Sequence, residues 1–313
     1  MLPLIARRIL ATIPVMGVVA LTVFGLLHLT PGDPAVIIAG DYATTQDIDK
    51  IRTRLGLDRP LLTQAGIWLA SVARGDLGVS IYSGLPVTRL IGQRVGPTAA
   101  LTALAMLISV TLAVPLGVLA AWRQGSWLDR AIMVFSVSGF SMPVFWLGFL
   151  LVWVFAIQAG VLPVQGYQPL EAGPWQFLRH LVLPAVTLSL VYMALIARMT
   201  RASVLGVLRE DYIRTAFAKG LAPHRVLLGH ALKAASLPVV TIIGVGFALL
   251  IGGAVVTESV FAIPGLGRLT VDAIVRRDYP VVQGVVLVVS GVYVLLNLVI
   301  DVAYVVLDPR IRY

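Results

Sequence analysis

The chain has 313 residues, of which 58% are hydrophobic and only 12% are charged, and its formal net charge is +9. A soluble globular domain is about 45–50% apolar and about 25% charged, so this composition favours the lipid bilayer as solvent. The absence of cysteine excludes disulfides, thiolate catalysis and cysteine-ligated metals. The positive charge lies in the loops between apolar runs, as membrane topology requires, and does not indicate nucleic-acid binding.

Six apolar runs approach or exceed the roughly 20 residues that a helix needs to cross a bilayer. None of them contains Asp, Glu, Lys or Arg. The sequence therefore predicts an all-α membrane protein with six transmembrane helices. In chain order the runs are 9–29, 98–121, 131–157, 181–197, 234–257 and 281–300.

The N-terminal run follows Arg7 and Arg8, an arrangement that secretory signal sequences also show. The run is long for the apolar core of a signal sequence. It ends in His-Leu-Thr-Pro-Gly-Asp-Pro at 28–34 rather than in a small-residue cleavage site. We therefore interpret 9–29 as a retained first span.

The segment 30–96, between the first two runs, is predicted to be a structured outer loop. Residues 47–55 have the pattern of a short amphipathic helix, and residues 64–72 predict a second one. The sequence Gly-Asp-Leu-Gly-Val-Ser at 75–80 predicts a turn that leads into an extended segment. These elements favour a packed cap on the outer face over an independent domain.

Lysine and arginine in the short loops predict the orientation, because cytoplasmic loops carry an excess of them. Seven basic residues lie between the fourth and fifth runs, and arginines also precede the first run, follow the second and follow the sixth. With six spans these segments share one side, so both termini are predicted to be cytoplasmic. The predicted organisation is a cytoplasmic N-terminus 1–8, a span 9–29, an outer loop 30–96, a five-span core 97–307 with a cytoplasmic loop 198–236, and a cytoplasmic C-terminus 308–313.

The cytoplasmic loop carries the pattern of two short helices joined by an elbow. Apolar residues recur at helical spacing before Tyr212 and again after Pro223. Gly220 can take a positive φ and end a helix, and Pro223 suits the first turn of the next one. The small residues Ala216 and Ala218 precede the elbow and would let it enter a cleft on a partner. A solvated basic loop is the alternative, but the ordered helix–Gly–Pro–helix pattern favours a docking element.

Two residues near the end of the fifth run are candidates for the outer mouth of a pathway. Glu258 either lines that mouth or anchors the following loop by a hydrogen bond, and Phe261 follows it closely. Intramembrane ionisable residues are functional candidates by default, yet none lies well inside the six runs. That absence disfavours a free-standing secondary transporter or channel, which is the alternative function.

Enzyme chemistry finds no support in the sequence. There is no Gly-x-x-x-x-Gly-Lys-Ser/Thr phosphate loop, no His-Glu-x-x-His and no Gly-x-Ser-x-Gly. The four histidines are scattered. We therefore predict no catalytic residue and no metal site, which disfavours an intramembrane enzyme.

At 211–221 the sequence Asp-Tyr-Ile-Arg-Thr-Ala-Phe-Ala-Lys-Gly-Leu is followed by His-Ala-Leu at 230–232 and Leu-Pro at 237–238. This segment resembles the EAA loop in permease subunits of ABC importers, specifically the dipeptide/oligopeptide/nickel family. Phe217 departs from the pattern, because that branch usually has arginine there. Further matches cover nearly the whole chain in order, at 28–34, 55–60, 74–78, 125–129, 258–267, 277–280 and 307–313.

The resemblance implies a type I ABC importer-like fold in the bacterial inner (plasma) membrane. It also implies a second homologous permease subunit, two ATP-binding-cassette ATPase subunits and an extracytoplasmic substrate-binding protein. ATP and Mg²⁺ would bind to the ATPases, with no cofactor in this chain, and the cargo would be a peptide or a related small solute. The implied ATPase-coupling residues are Tyr212, Arg214, Thr215, Ala216, Phe217, Ala218, Lys219, Gly220 and Leu221.

Overall fold

Helices make up nearly all of the secondary structure in the computed structural model, which describes residues 2–29, 35–36 and 44–307. Within those residues the β-pairing is an isolated antiparallel bridge between Val79 and Pro86. The helices are α1 (Leu2–Leu29), α2 (Thr45–Leu55), α3 (Leu61–Ala73), α4 (Val87–Trp122), α5 (Trp127–Ser141), α6 (Val144–Leu151), α7 (Pro174–Leu208), α8 (Asp211–Ala218), α9 (Pro223–Arg225), α10 (Leu232–Ala234), α11 (Ser236–Val260), α12 (Leu266–Val275) and α13 (Tyr279–Leu307). Two π-helical segments, Val152–Gln158 and Val226–Ala231, continue α6 and connect α9 to α10.

The long helices confirm the predicted class of an all-α membrane protein. Four of them, α4, α7, α11 and α13, are long and apolar enough to cross a membrane. The pair Trp127–Gly139 and Val144–Gln158, joined by a sharp bend, supplies a fifth candidate. A shorter apolar stretch, Leu10–Gly25, lies within α1. Length and composition therefore support four to five spans among the described residues.

Two of these helices extend well beyond the apolar runs that predicted them. α4 begins at Val87 rather than at residue 98, and α7 covers Pro174–Leu208 rather than 181–197. α7 begins where Gly173 adopts a φ of +114° and Pro174 occupies the first helical turn, which proline favours. Hydropathy identifies only the apolar part of a helix. The polar turns at either end of the helix continue beyond that part, up to a residue such as Gly173 whose backbone conformation is not helical.

The third apolar run, 131–157, is divided into two helices at a proline. Pro143 has an extended backbone, with φ −60° and ψ 132°, and so does Met142 before it. Proline clashes with a helical conformation in the preceding residue and lacks a backbone N–H. α5 therefore ends at Ser141, and α6 starts anew at Val144.

The chain divides into two compact units, of which the first comprises Met1–Val95 and Leu269–Leu295. Helices α2 and α3 lie where the sequence predicted two short helices. Ala20, Val23 and Leu287 are buried together, and Trp68 packs against them. The buried Gln283 side chain donates a hydrogen bond to the Val23 carbonyl at 3.2 Å, which ties α13 to α1.

The second unit comprises Gly96–Arg268 and Leu296–Tyr313 and contains an extensive apolar core. α4, α7 and α11 each contribute fully buried leucines, such as Leu101, Leu188 and Leu250. α4 and α7 approach closely at Gly117, where an added Cβ would lie 2.6 Å from the Ala197 carbonyl oxygen. A hydrogen bond from Ser109 Oγ to the Ser189 carbonyl joins the same two helices.

We expect Gly117→Ala to lower the free energy of unfolding by about 1–3 kcal/mol, the usual cost of forcing an extra carbon into a packed core. The new methyl group meets backbone at Ala197 and the Cβ of Thr200, neither of which can rotate away. Thermal unfolding of the purified protein in detergent measures the change.

Gly92→Ala, on the same helix, is the matched control. An added Cβ at Gly92 meets no atom of the described chain within 4 Å. Alanine has the higher helix propensity, so this variant should be as stable as the natural protein or slightly more stable. Equal melting temperatures for the two variants would contradict the close approach at Gly117.

Candidate functional site

The predicted docking loop is packed against the C-terminal end of α4. α8 buries Ile213 and Ala216, which are three residues apart and therefore share one face of the helix. The same apolar cluster includes Val118, Ala121, Val204, Val226, Ala231 and Ala235. The segment was predicted to be helical up to the elbow. It is interrupted once, at Arg209 and Glu210, where α7 ends and α8 begins.

Gly220 forms the elbow, with a φ of +75° that L-residues rarely adopt. Its N–H donates to the Phe217 carbonyl, and the N–H of Leu221 donates to the Ala216 carbonyl. This pair of bonds is the Schellman arrangement that ends a helix at a left-handed glycine. The next helix starts at Pro223, as the sequence predicted.

The outward face of α8 and the elbow present polar and aromatic groups to solvent. Tyr212 is 48% exposed and Phe217 is 39% exposed. Leu221 is half-buried. The other exposed residues of the predicted coupling set are Arg214, Thr215, Ala218, Lys219 and Gly220. The structure thus brings all nine predicted residues into one helix–elbow element, with Ala216 turned toward the chain's own core.

Phe217 contacts this chain as well as solvent. Its ring stacks on Trp122, with ring centroids 6.5 Å apart and the planes inclined at 29°. Trp122 is the last residue of α4, so the stack joins the end of a long apolar helix to the exposed face of α8. The sequence analysis did not identify Trp122, because its role depends on contact with Phe217, which lies some 95 residues further along the chain.

The ion pair on α8 is exposed, whereas the Tyr212 phenol has a perturbed pKa. The ion pair between Arg214 and Asp211 spans 3.4 Å with both side chains largely exposed, and such pairs contribute little to stability. Burial raises the pKa of the Tyr212 phenol, and the negative charge of Glu210 raises that pKa further. The phenol is therefore neutral at physiological pH and available as a hydrogen-bond donor.

Glu258 and Phe261 lie inside the second unit, with exposed fractions of 0% and 1%. One carboxylate oxygen of Glu258 accepts from the Thr98 hydroxyl at 2.6 Å, and the other accepts from the Arg268 N–H at 2.9 Å. The Thr98 oxygen in turn accepts from the Leu266 N–H at 2.8 Å. The carboxylate therefore holds the first turn of α12. The assignment of Glu258 and Phe261 to a pathway stays a prediction.

A second charged pair joins α5 to α7. Arg201 donates from Nε and Nη2 to the two carboxylate oxygens of Asp129, at 2.5 and 2.7 Å. Asp129 is 4% exposed and also accepts from the Gly125 N–H, while Ser126 caps the helix at the Asp129 N–H. In the sequence Arg201 is one of seven basic residues between the fourth and fifth apolar runs. Its bidentate contact with Asp129 becomes visible only in the folded structure.

The described residues combine long apolar helices with a packed, basic helix–Gly–helix loop, the pattern that the resemblance to importer permeases leads one to expect. Residues 113–313 match the family described as binding-protein-dependent transport system inner membrane component, and residues 1–102 match its N-terminal family. The chain belongs to this family. It is therefore the permease component of an ATP-driven importer and not the ATPase.

Curated relatives resemble the chain over its whole length. The probable peptide ABC transporter permease protein y4tP of Sinorhizobium fredii is 53% identical, covering 99% of each chain. The glutathione transport system permease protein GsiC of Escherichia coli is 44% identical over 100% of both chains. The dipeptide transport system permease protein DppB of Alkalihalophilus pseudofirmus is 40% identical, again over 100% of both.

A solved structure supports the type I ABC importer-like fold. An inward-facing form of the MetNI methionine ABC transporter superposes with a TM-score of 0.58, covering 70% of this chain and 96% of that chain. Sequence identity is 18%, so the likeness concerns the fold alone.

Proposed function

We propose that the loop around Gly220 is the element through which partner ATPases drive this permease. The observation that carries the proposal is the two-sided packing of α8. Ile213 and Ala216 fix the helix to the end of α4, while Tyr212 and Lys219 remain exposed. A short helix held by its apolar face transmits a displacement to the helices beneath it, which a flexible tether does not.

The proposed assembly contains this chain, a second homologous permease, two ATP-binding-cassette ATPases and an extracytoplasmic substrate-binding protein. The family description supports the last of these, because it refers to binding-protein-dependent transport. ATP and Mg²⁺ bind to the ATPase subunits, and this chain needs no cofactor of its own. ATP binding closes the ATPase pair, draws the two permease loops together and opens the pathway to the outside.

The proposed topology has six spans, with α1 as the first and the α5–α6 pair together as the third. Both termini then lie in the cytoplasm, and residues 30–96 lie on the outer side. The supporting observation is the distribution of Lys and Arg, seven of which lie between the fourth and fifth apolar runs.

The proposed cargo is a peptide or a small solute of similar chemistry. Peptide, dipeptide and glutathione systems are all among the relatives, and these compounds share amide-linked amino acids with charged ends. Glu258 and Phe261 are proposed to shape the outer mouth indirectly. Both are buried, so they would act by fixing the turn between α11 and α12.

Replacing Gly220 tests the coupling role through its backbone conformation. A left-handed φ costs an alanine about 1–2 kcal/mol, and each 1.4 kcal/mol is a factor of ten in affinity. We therefore expect Gly220→Ala to weaken ATPase association by roughly five- to thirtyfold, measured by titrating ATPase onto permease in nanodiscs.

Gly220→Asn is the matched control, because asparagine adopts the left-handed region more readily than alanine. An added Cβ at Gly220 meets no described atom within 4 Å, so both variants test conformation rather than bulk. Asparagine should retain most of the affinity that alanine loses. Full affinity in both variants, with normal membrane insertion, would refute the coupling role of the elbow.

A further inference from the structure

A tight turn at residues 79–86 projects from the first unit and is closed by backbone hydrogen bonds. The N–H of Ser80 donates to the Leu85 carbonyl at 2.9 Å, and the N–H of Gly84 donates to the Ser80 carbonyl at 3.0 Å. Below them the N–H of Val87 donates to the Gly78 carbonyl at 3.0 Å. The turn therefore has one defined conformation.

A buried carboxylate fixes this turn to the corner between α12 and α13. Asp278 is 4% exposed and accepts from the Ser80 hydroxyl at 2.5 Å and from the Ile81 N–H at 3.1 Å. Its own N–H donates to the Ala273 carbonyl at 2.8 Å. Arg277 before it has a φ of +55°, a conformation that persists only where the surroundings impose it. The turn and the corner thus form one rigid element within the first unit.

This element presents an aromatic ring and a cation together at its surface. Tyr82, in the turn, is 68% exposed, and the Arg276 guanidinium lies 4.0 Å from the centroid of its ring. Exposed aliphatic side chains flank the pair, with Val79 54% and Val275 77% exposed. Tyrosine and arginine are among the residues enriched where protein–protein binding energy is concentrated, and a backbone fixed before binding lowers the entropy cost of binding.

The segments that form this element carry more positive than negative charge. Segments 74–94 and 272–278 contain five arginines against three aspartates, of which Asp278 is buried. The arginines are Arg74, Arg89, Arg94, Arg276 and Arg277, and the exposed aspartates are Asp76 and Asp272. An acidic protein surface is the complement of such a patch, and opposite charges also accelerate encounter.

We propose that Tyr82 and Arg276 form a docking point for an acidic surface of the extracytoplasmic substrate-binding protein. The inference rests on the proposed function, whose topology places residues 30–96 and the α12–α13 corner on the outer side. Anionic lipid headgroups would also meet arginines, but a membrane surface requires no fixed geometry. The hydrogen-bonded turn and the Asp278 anchor supply a fixed geometry, which favours a protein.

The test uses the assembled importer in phosphatidylcholine nanodiscs with its cognate substrate-binding protein. Tyr82→Ala and Arg276→Gln should each raise, by about tenfold, the binding-protein concentration that half-maximally stimulates ATP hydrolysis. Basal hydrolysis without binding protein should stay unchanged. Tyr82→Phe keeps the ring beneath Arg276 and should behave nearly as the natural protein does, which separates ring loss from the hydroxyl group.

Unchanged half-maximal concentrations in Tyr82→Ala and Arg276→Gln, with stimulation intact, would overturn the docking point while leaving the proposed function standing. No stimulation of the natural complex by binding protein would instead refute the proposed function. A defect that appears only after phosphatidylglycerol is added to the nanodiscs assigns the patch to the membrane and also overturns the proposal.

Discussion

Replacing Glu258 with leucine is expected to lower the free energy of unfolding by about 2–6 kcal/mol, since one buried and one partly buried donor lose their acceptor at about 1–3 kcal/mol each. The donors are the Thr98 hydroxyl and the Arg268 N–H, both within 2.9 Å of the carboxylate. Leucine is similar in size but accepts no hydrogen bond. Thermal unfolding in detergent, monitored by size-exclusion chromatography, measures the loss.

Variants at Thr98 show whether the hydrogen bonds, rather than the shape of the side chain, carry the effect. Thr98→Ser keeps the hydroxyl that links Glu258 to the Leu266 N–H and should remain close to the natural stability. Thr98→Val removes that link but leaves the bond from the Arg268 N–H to Glu258. The stability of this variant should therefore lie between that of the natural protein and that of Glu258→Leu. A Glu258→Leu protein as stable as the natural one would show that the carboxylate does not hold the turn.

The segment 258–267 carries one of the family matches, and the structure shows close packing of its glycines around Glu258. A Cβ at Gly265 would overlap the Glu258 carboxylate, and one at Gly267 would lie 2.5 Å from the Val255 Cα. Hydropathy placed Glu258 at the end of a run and left two alternatives open, lining a mouth or anchoring a loop. Its partner Thr98 is 160 residues away, and no local pattern encodes a contact at that separation.

Replacing Arg201 with leucine is expected to lower the free energy of unfolding by about 3–5 kcal/mol, because Asp129 would remain buried and charged without its partner. The natural pair is bidentate, and Asp129 is 4% exposed. Chemical unfolding in detergent, or the yield of monodisperse protein, measures the change.

Arg201→Lys and the double variant Asp129→Leu/Arg201→Leu complete the test. Lysine keeps the charge but cannot form two parallel hydrogen bonds, so the loss should be smaller than with leucine. Replacing both partners removes the uncompensated charge and should recover part of the stability lost in Arg201→Leu. A double variant less stable than Arg201→Leu would mean that Asp129 contributes mainly through its bond to Gly125.

The conformation of the elbow could be predicted from its own residues, whereas the surface against which it packs could not. Gly220 and Pro223 determine where the helices end and begin, so the helix–Gly–Pro–helix pattern anticipated the observed backbone. The burial of Ala216 and the stack of Phe217 on Trp122 depend on the end of α4, about a hundred residues earlier. Likewise, composition predicted long apolar helices, but the division at Pro143 follows from a steric rule that hydropathy ignores.

The Asp129–Arg201 pair also bears on the order in which the protein is made. The two residues are 72 positions apart in the chain. At about 5–20 residues per second, Asp129 leaves the ribosome roughly 4–14 s before Arg201 does. Until then Asp129 lacks the guanidinium that binds both of its carboxylate oxygens, and only neighbours such as Arg130 offset its charge. The ion pair between α5 and α7 therefore forms only after nearly the whole of α7 has been synthesised.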